Sequence, residues 1–212
     1  MTAPQEISVE YLVARIVDRG RTQRSITAVC GPPGAGKSTL ADELAARLNE
    51  KEPDSAAVFP MDGYHFDDLI LNARGWRPRK GAPHTFDVGG FAHMLMRLKQ
   101  NEEGEIAVPV FDRGIEIARN SARVIPGTVR HLIVEGNYLL LDEAPWRDLG
   151  PLFDTTVFLS VPLAELERRL AERWQDLSEL DCKAKLEEND LPNARQVVSG
   201  SLPAEFQIVF NP

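Results

Sequence analysis

Apolar residues recur along the chain in two rhythms. Short continuous runs of four to seven mostly β-branched or aliphatic residues occur at 25–30, 56–60, 106–111, 131–135, 155–161 and 206–210. Runs of that length bounded by polar or glycine residues read as buried strands. Between them lie stretches with helical spacing. Ile7, Tyr11, Leu12 and Ile16 predict a leading helix within residues 1–20, and Leu40, Leu44 and Leu48 give the helix at 38–48 one apolar face. Further helices are expected at 91–99, 162–174, 177–188 and 191–198, and residues 112–127 read as irregular or as a hairpin. Residues 72–90, rich in Gly, Pro, Arg and Lys, lack periodicity and predict a long loop, a kind of segment often used for function. Strands alternating with helices predict an α/β fold whose parallel sheet is covered on both faces.

A chain of 212 residues without repeats or a low-complexity linker is most simply a single domain, 1–212. Its formal net charge of −8 argues against a general nucleic-acid partner, because a polyanion would be repelled on average. Cys30 and Cys182 are the two cysteines and have no paired spacing, so neither a disulfide framework nor a thiolate metal site is expected. The first ten residues carry no apolar signal core, and no apolar run approaches the roughly 20 residues that span a bilayer. The expectation is a cytoplasmic protein with no membrane partner. A homodimer is compatible with this, since two-fold assemblies are common among soluble enzymes.

The sharpest chemical signal follows the first strand. Gly31, Pro32, Pro33, Gly34, Ala35, Gly36, Lys37 and Ser38 fit the phosphate-binding pattern G-x-x-x-x-G-K-[ST], with Thr39 next in the helix it opens. Glycines permit the backbone angles that turn successive N–H groups onto an anion, and the helix adds the positive end of its dipole. Lysine supplies a charge for the β and γ phosphates, and the serine hydroxyl a ligand for Mg²⁺. ATP and Mg²⁺ are therefore the expected cofactors. A dinucleotide-binding turn is disfavoured, since its glycine pattern lacks the Lys-Ser pair.

Two acids fall at predicted strand ends: Asp62 after 56–60, and Glu135 closing 131–135. In a parallel α/β sheet ligands bind beyond the carboxyl ends of the strands. Phosphoryl transfer needs one acid by the metal and one by the acceptor hydroxyl. Asp62 is assigned to the acceptor hydroxyl and Glu135 to the metal shell with Ser38, although the two roles are interchangeable at this stage. Either acid is alternatively a turn or cap residue.

Gly31 to Ser38, Met61-Asp-Gly-Tyr-His65, Arg79-Lys-Gly-Ala-Pro83 with Phe86-Asp87, and Val134-Glu-Gly136 occur in the order that resembles the uridine kinase, pantothenate kinase and phosphoribulokinase superfamily of P-loop kinases. Asn189-Asp-Leu-Pro-Asn-Ala194 also resembles the bacterial branch known as fructose transport system kinases. The resemblance spans nearly the whole chain. It implies a three-layer P-loop fold of about five parallel strands in the order 2-3-1-4-5, with a helical lid over 162–190. It implies Asp62 as catalytic base, Glu135 as metal-associated acid, and 79–87 as part of the acceptor pocket.

Several residues carry open alternatives. Arg169 or Arg173 would serve in the lid, or with Arg168 would form a solvated face paired to Glu165, Glu167 and Glu172. Tyr64, His65, Lys80, Asp87 and Arg113 are candidate acceptor contacts. Against this, His65 suits a structural role, Lys80 and Asp87 are ordinary loop charges, and Arg113 has Glu116 as a partner. Asn189 to Asn193 suit adenine or lid contacts, or supply a helix cap at Asn189 or Asp190. The expected activity is transfer of the γ-phosphoryl group of ATP to a hydroxyl of a small molecule such as a nucleoside, a pantothenate-like compound or a sugar. The alternatives are a nucleoside monophosphate-type kinase and a regulatory ATPase acting through a protein partner.

Overall fold

The computed structural model describes residues 3–210. In chain order the elements are β1 (Gln5–Glu6), α1 (Val9–Arg19), β2 (Ser25–Cys30), α2 (Lys37–Lys51), β3 (Ala56–Pro60), α3 (Asp68–Ala73), α4 (Val88–Gln100), β4 (Glu105–Asp112), β5 (Ile117–Pro126), β6 (His131–Gly136), β7 (Thr155–Ser160), α5 (Leu163–Arg173), α6 (Glu179–Lys183), α7 (Leu191–Gly200) and β8 (Phe206–Val209). Six strands pair in the order β1-β8-β7-β2-β6-β3, every pair parallel. Counted from β2, the five longer strands run 2-3-1-4-5 as the resemblance implies. The two-residue β1 adds an edge strand that the periodicity did not reveal.

Strand alternation builds the three layers. Ile26, Ala28 and Cys30 of β2, with Leu132 and Val134 of β6, face one side, where Phe91, Leu95 and Leu98 of α4 and Ile106, Val108 and Ile125 of the hairpin cover them. Val29, Ile133 and Val157 face the other, packed by Leu12 and Ile16 of α1 and Leu40, Leu44 and Leu48 of α2. Every residue of β2 and β6 is buried, which is why both read as continuous apolar runs.

Three expectations shift in detail. The leading-helix expectation for 1–20 falls in part on Met1 and Thr2, outside the described residues. Beyond them, helix begins only at Val9, because Ser8 caps it by accepting from the Tyr11 amide at 3.2 Å. Residues 72–90 contain single 3₁₀ turns at Arg77–Arg79 and Pro83–Thr85, and α4 starts at Val88 rather than Phe91. Gly89 and Gly90 hid that start, since glycine is a poor helix former. Residues 105–126 form the antiparallel hairpin β4–β5, a sheet of its own.

Candidate functional site

The phosphate loop leaves the carboxyl end of β2 and opens α2. Gly34 and Gly36 have φ of +80° and +93°, angles that an L side chain adopts only under strain. Gly36 is the N-cap of α2 and offers no side chain to its first turn. The leading amide N–H groups of α2 are therefore left to whatever anion occupies the loop. Lys37 is only 8% exposed; its Nζ donates to the Pro32 carbonyl at 3.0 Å, and burial pushes its pKa down. A buried ammonium whose only hydrogen bond among the described residues is to one backbone carbonyl is poised for a polyanion.

Strand register sets the two acids beside the loop. Pro60 of β3 pairs with Glu135 of β6, and Gly136 pairs with Cys30 at the end of β2. Asp62 follows β3 in a 3₁₀ turn, Met61–Tyr64. Glu135 is 6% exposed and accepts a hydrogen bond from Ser38 Oγ at 3.2 Å. Burial pushes its pKa up, opposed by Lys37 and Ser38. The hairpin covers this edge. Pro109 of β4 lies so close to Gly63 that a Cβ there would meet its carbonyl oxygen at 2.7 Å. That fixes why glycine follows Asp62.

One cleft contains Pro33, Gly34, Lys37, Ser38, Asp62 and Glu135. It also receives His65, Lys80 and Arg113 from the segments after β3 and β4 and Arg173 from the end of α5. Arg113 donates to Asp62 Oδ2 at 2.8 Å, so its partner is Asp62 and not Glu116. Lys80 is committed at its ammonium to Asp68 Oδ1 at 2.6 Å and the Glu116 carbonyl at 2.5 Å. His65 lies between the rings of Phe86 and Phe111, at centroid distances of 4.0 and 4.7 Å, and burial lowers its pKa.

Two candidate acceptor contacts are not brought to the cleft. Tyr64 packs among Phe59 and Phe91 at 6.0 and 5.1 Å, drawn inward by apolar burial. Asp87 caps α4, accepting from the Gly90 amide at 2.9 Å. On α5, Arg169 bonds Glu165 at 2.7 Å and the Gly34 carbonyl at 3.3 Å, which braces the phosphate loop. Arg168 pairs with Glu165 and Glu172 on the solvent face. Arg173 faces the cleft with no hydrogen-bond partner among the described residues. Asn137, Trp174 and Lys185 line the same cleft with Asn193, and no short-range pattern marks the first three as site residues. Neither Asn189 nor Asp190 caps α7; both lie in continuous helical backbone.

A glycine loop closing on a buried lysine at the head of a helix, between the carboxyl ends of parallel strands, defines a P-loop nucleotide-binding protein. No protein-family model matches the chain. It is 34% identical over 200 residues to "Uncharacterized protein YggC" of Escherichia coli K12, covering 92% of this chain and 82% of that protein. It is also 34% identical to "Putative uridine kinase C227.14" of Schizosaccharomyces pombe, over 81% and 75% of the two chains. A crystal structure of a "putative fructose transport system kinase" from Silicibacter sp. TM1040 superposes with a TM-score of 0.87 at 40% identity, over 95% and 98%. The chain belongs to this family of uridine kinase-like P-loop kinases.

Proposed function

We propose that this protein is an ATP-dependent kinase that transfers the γ-phosphoryl group to a hydroxyl of a small molecule. The observation that carries the reading is the convergence of Lys37, Ser38, Glu135 and Asp62 on one cleft. The loop amides and Lys37 hold the triphosphate, and Arg173, with no hydrogen-bond partner among the described residues, meets its outer charge. Among the described residues no three His, Cys, Asp or Glu side chains gather as a metal site. The oxygen pair of Ser38 and Glu135 suits Mg²⁺, which keeps most of its coordination for water and phosphate oxygens. Held there, the ion would neutralise charge on the phosphates.

Asp62 orients the acceptor hydroxyl and takes its proton as the oxygen attacks the γ-phosphorus. The bond from that phosphorus to the bridging oxygen breaks, and its electron pair leaves with ADP. Arg113 holds Asp62 aimed until the acceptor enters. A hydroxyl acceptor fits better than a phosphate, because Arg77 and Lys80 are already neutralised by Asp68 and Glu116. No helix among the described residues is long and apolar enough to cross a membrane, and a diffusible acceptor fits the open cleft.

The test is ADP release with ATP and magnesium against nucleosides, pantothenate and sugars, with Lys37→Ala alongside. Acceptor-dependent release that disappears in Lys37→Ala supports the reading. ADP formation that no acceptor stimulates would refute it and favour an ATPase.

A further inference from the structure

The segment before α7 is a π-helical turn, Ala184–Asp190, and its side chains reach both walls of the cleft. Asn189 Nδ2 donates to the Lys80 carbonyl in the acceptor loop at 2.8 Å. The next residue, Asp190, accepts from Trp174 Nε1 in the lid at 2.8 Å. Successive side chains on a helical turn diverge by about 100°, so a single peptide reaches in both directions. Four residues on, the Asn193 amide donates to Asn189 Oδ1 at 3.1 Å and accepts from Arg79 Nη2 at 3.1 Å. Asn189 and Asn193 are 6% and 2% exposed. Two buried amides joined in series hold one geometry, because any other leaves buried polar groups unpaired. π-turns concentrate at functional sites, where the added residue re-aims side chains that a regular helix would send elsewhere.

We propose that Asn189, Asp190 and Asn193 are positioning residues that lock the acceptor loop to the lid, so that nucleotide held at the lid sets the acceptor pocket in order. The inference rests on the kinase reading above. It extends that reading by assigning a task to the Asn-Asp-Leu-Pro-Asn motif. Asn189 holds Lys80, whose ammonium in turn fixes Asp68 and the hairpin at Glu116. Asp190 holds Trp174, the residue that ends α5 immediately after Arg173. With the joint intact, the lid arginine and the acceptor pocket move as one body. With it broken, nucleotide still binds, but the acceptor side no longer registers it, and water competes for the γ-phosphoryl group.

The experiment measures backbone amide exchange in the full chain, with and without ATP and magnesium, and needs no acceptor. In the native protein nucleotide should slow exchange in the phosphate loop, in 174–188, and also in the acceptor loop at 77–87. In Asn189→Ala the phosphate loop keeps its protection, whereas the extra protection at 77–87 falls about fivefold or more, the ratio that one net hydrogen bond supports. Trp174→Phe keeps an aromatic ring under Lys185, removes the donor to Asp190, and should produce the same uncoupling with a native melting temperature to within a few degrees. It serves as the arm that stands if Asn189→Ala fails to fold. A mainly structural role would lower stability in both variants and leave the nucleotide-induced protection at 77–87 unchanged, which would overturn the proposal. Failure of nucleotide to protect the phosphate loop of the native protein would instead sink the P-loop reading itself.

Discussion

Replacing Asp62 with Asn separates chemistry from folding. The side chain keeps its shape and loses its charge and its ability to take a proton. Asp62 is 24% exposed and its partner Arg113 66%, so the ion pair lies largely in water. Exposed pairs of this kind contribute at most about 1 kcal/mol. For a chain of this size that corresponds to a fall in Tm of about 2–4 °C at most. The freed guanidinium is solvated and leaves no buried orphan. The chemical cost is of another order: a positioned general base contributes about 10²- to 10⁴-fold, or roughly 3–5 kcal/mol of barrier. With its best acceptor the variant should therefore lose at least about a hundredfold in kcat. Its melting curve and its stabilisation by ATP with magnesium should stay near native, because Lys37 and the loop amides are untouched. The assays are coupled ADP release and thermal denaturation with and without nucleotide. A variant that transfers phosphate within about threefold of the native rate would refute the role of Asp62 as base, and Glu135 would become the candidate.

Lys37→Ala should abolish thermal stabilisation by ATP; unchanged stabilisation would remove the lysine from the phosphate site. Gly34→Ala puts a Cβ 3.2 Å from Leu170 Cγ at a φ of +80°, which should cost about 1–2 kcal/mol and weaken nucleotide binding, read by urea unfolding and by ATP titration. Glu135→Gln should raise the magnesium concentration needed for half-maximal rate, a shift that rate against magnesium reads directly. Burial lowers the pKa of His65, His84 and His131 below the ordinary 6.5. The unfolded chain then binds protons first, so stability is full above pH 6.5 and falls as pH drops through that value. His131→Gln should flatten the slope of Tm against pH between 6.5 and 5.

Local signals carried far on this chain. The eight residues Gly31 to Ser38 announce their anion nest because its chemistry is contiguous: positive φ, amide donors, lysine and helix start all lie within one turn of backbone. β2 and β6 announce themselves because burial on both faces leaves no polar position to break the run. Asp62 and Glu135 were legible as strand-end acids, and the parallel topology placed both at one edge. Other positions misled for equally local reasons. Tyr64, two residues after Asp62, looks like a pocket wall, yet a 3₁₀ turn swings it onto Phe59 and Phe91. Asp87 looks like an acceptor contact, yet Val88 right after it begins a helix that needs a cap, a start disguised by Gly89 and Gly90.

Composition, motif and periodicity thus determined by themselves that the chain binds a nucleotide on a parallel sheet, because each of those properties is written in residues adjacent in sequence. Tertiary structure alone decided which basic side chains are free and which are spent. Lys80 is paired with a carboxylate 12 positions away and held by a backbone carbonyl 36 away, Arg113 with a carboxylate 51 away, and Arg173 with none among the described residues. It also decided that Asn189 and Asp190 join the two walls of the cleft rather than cap a helix. A side chain's charge is fixed by its type, but its availability depends on partners that only folding brings within 3 Å.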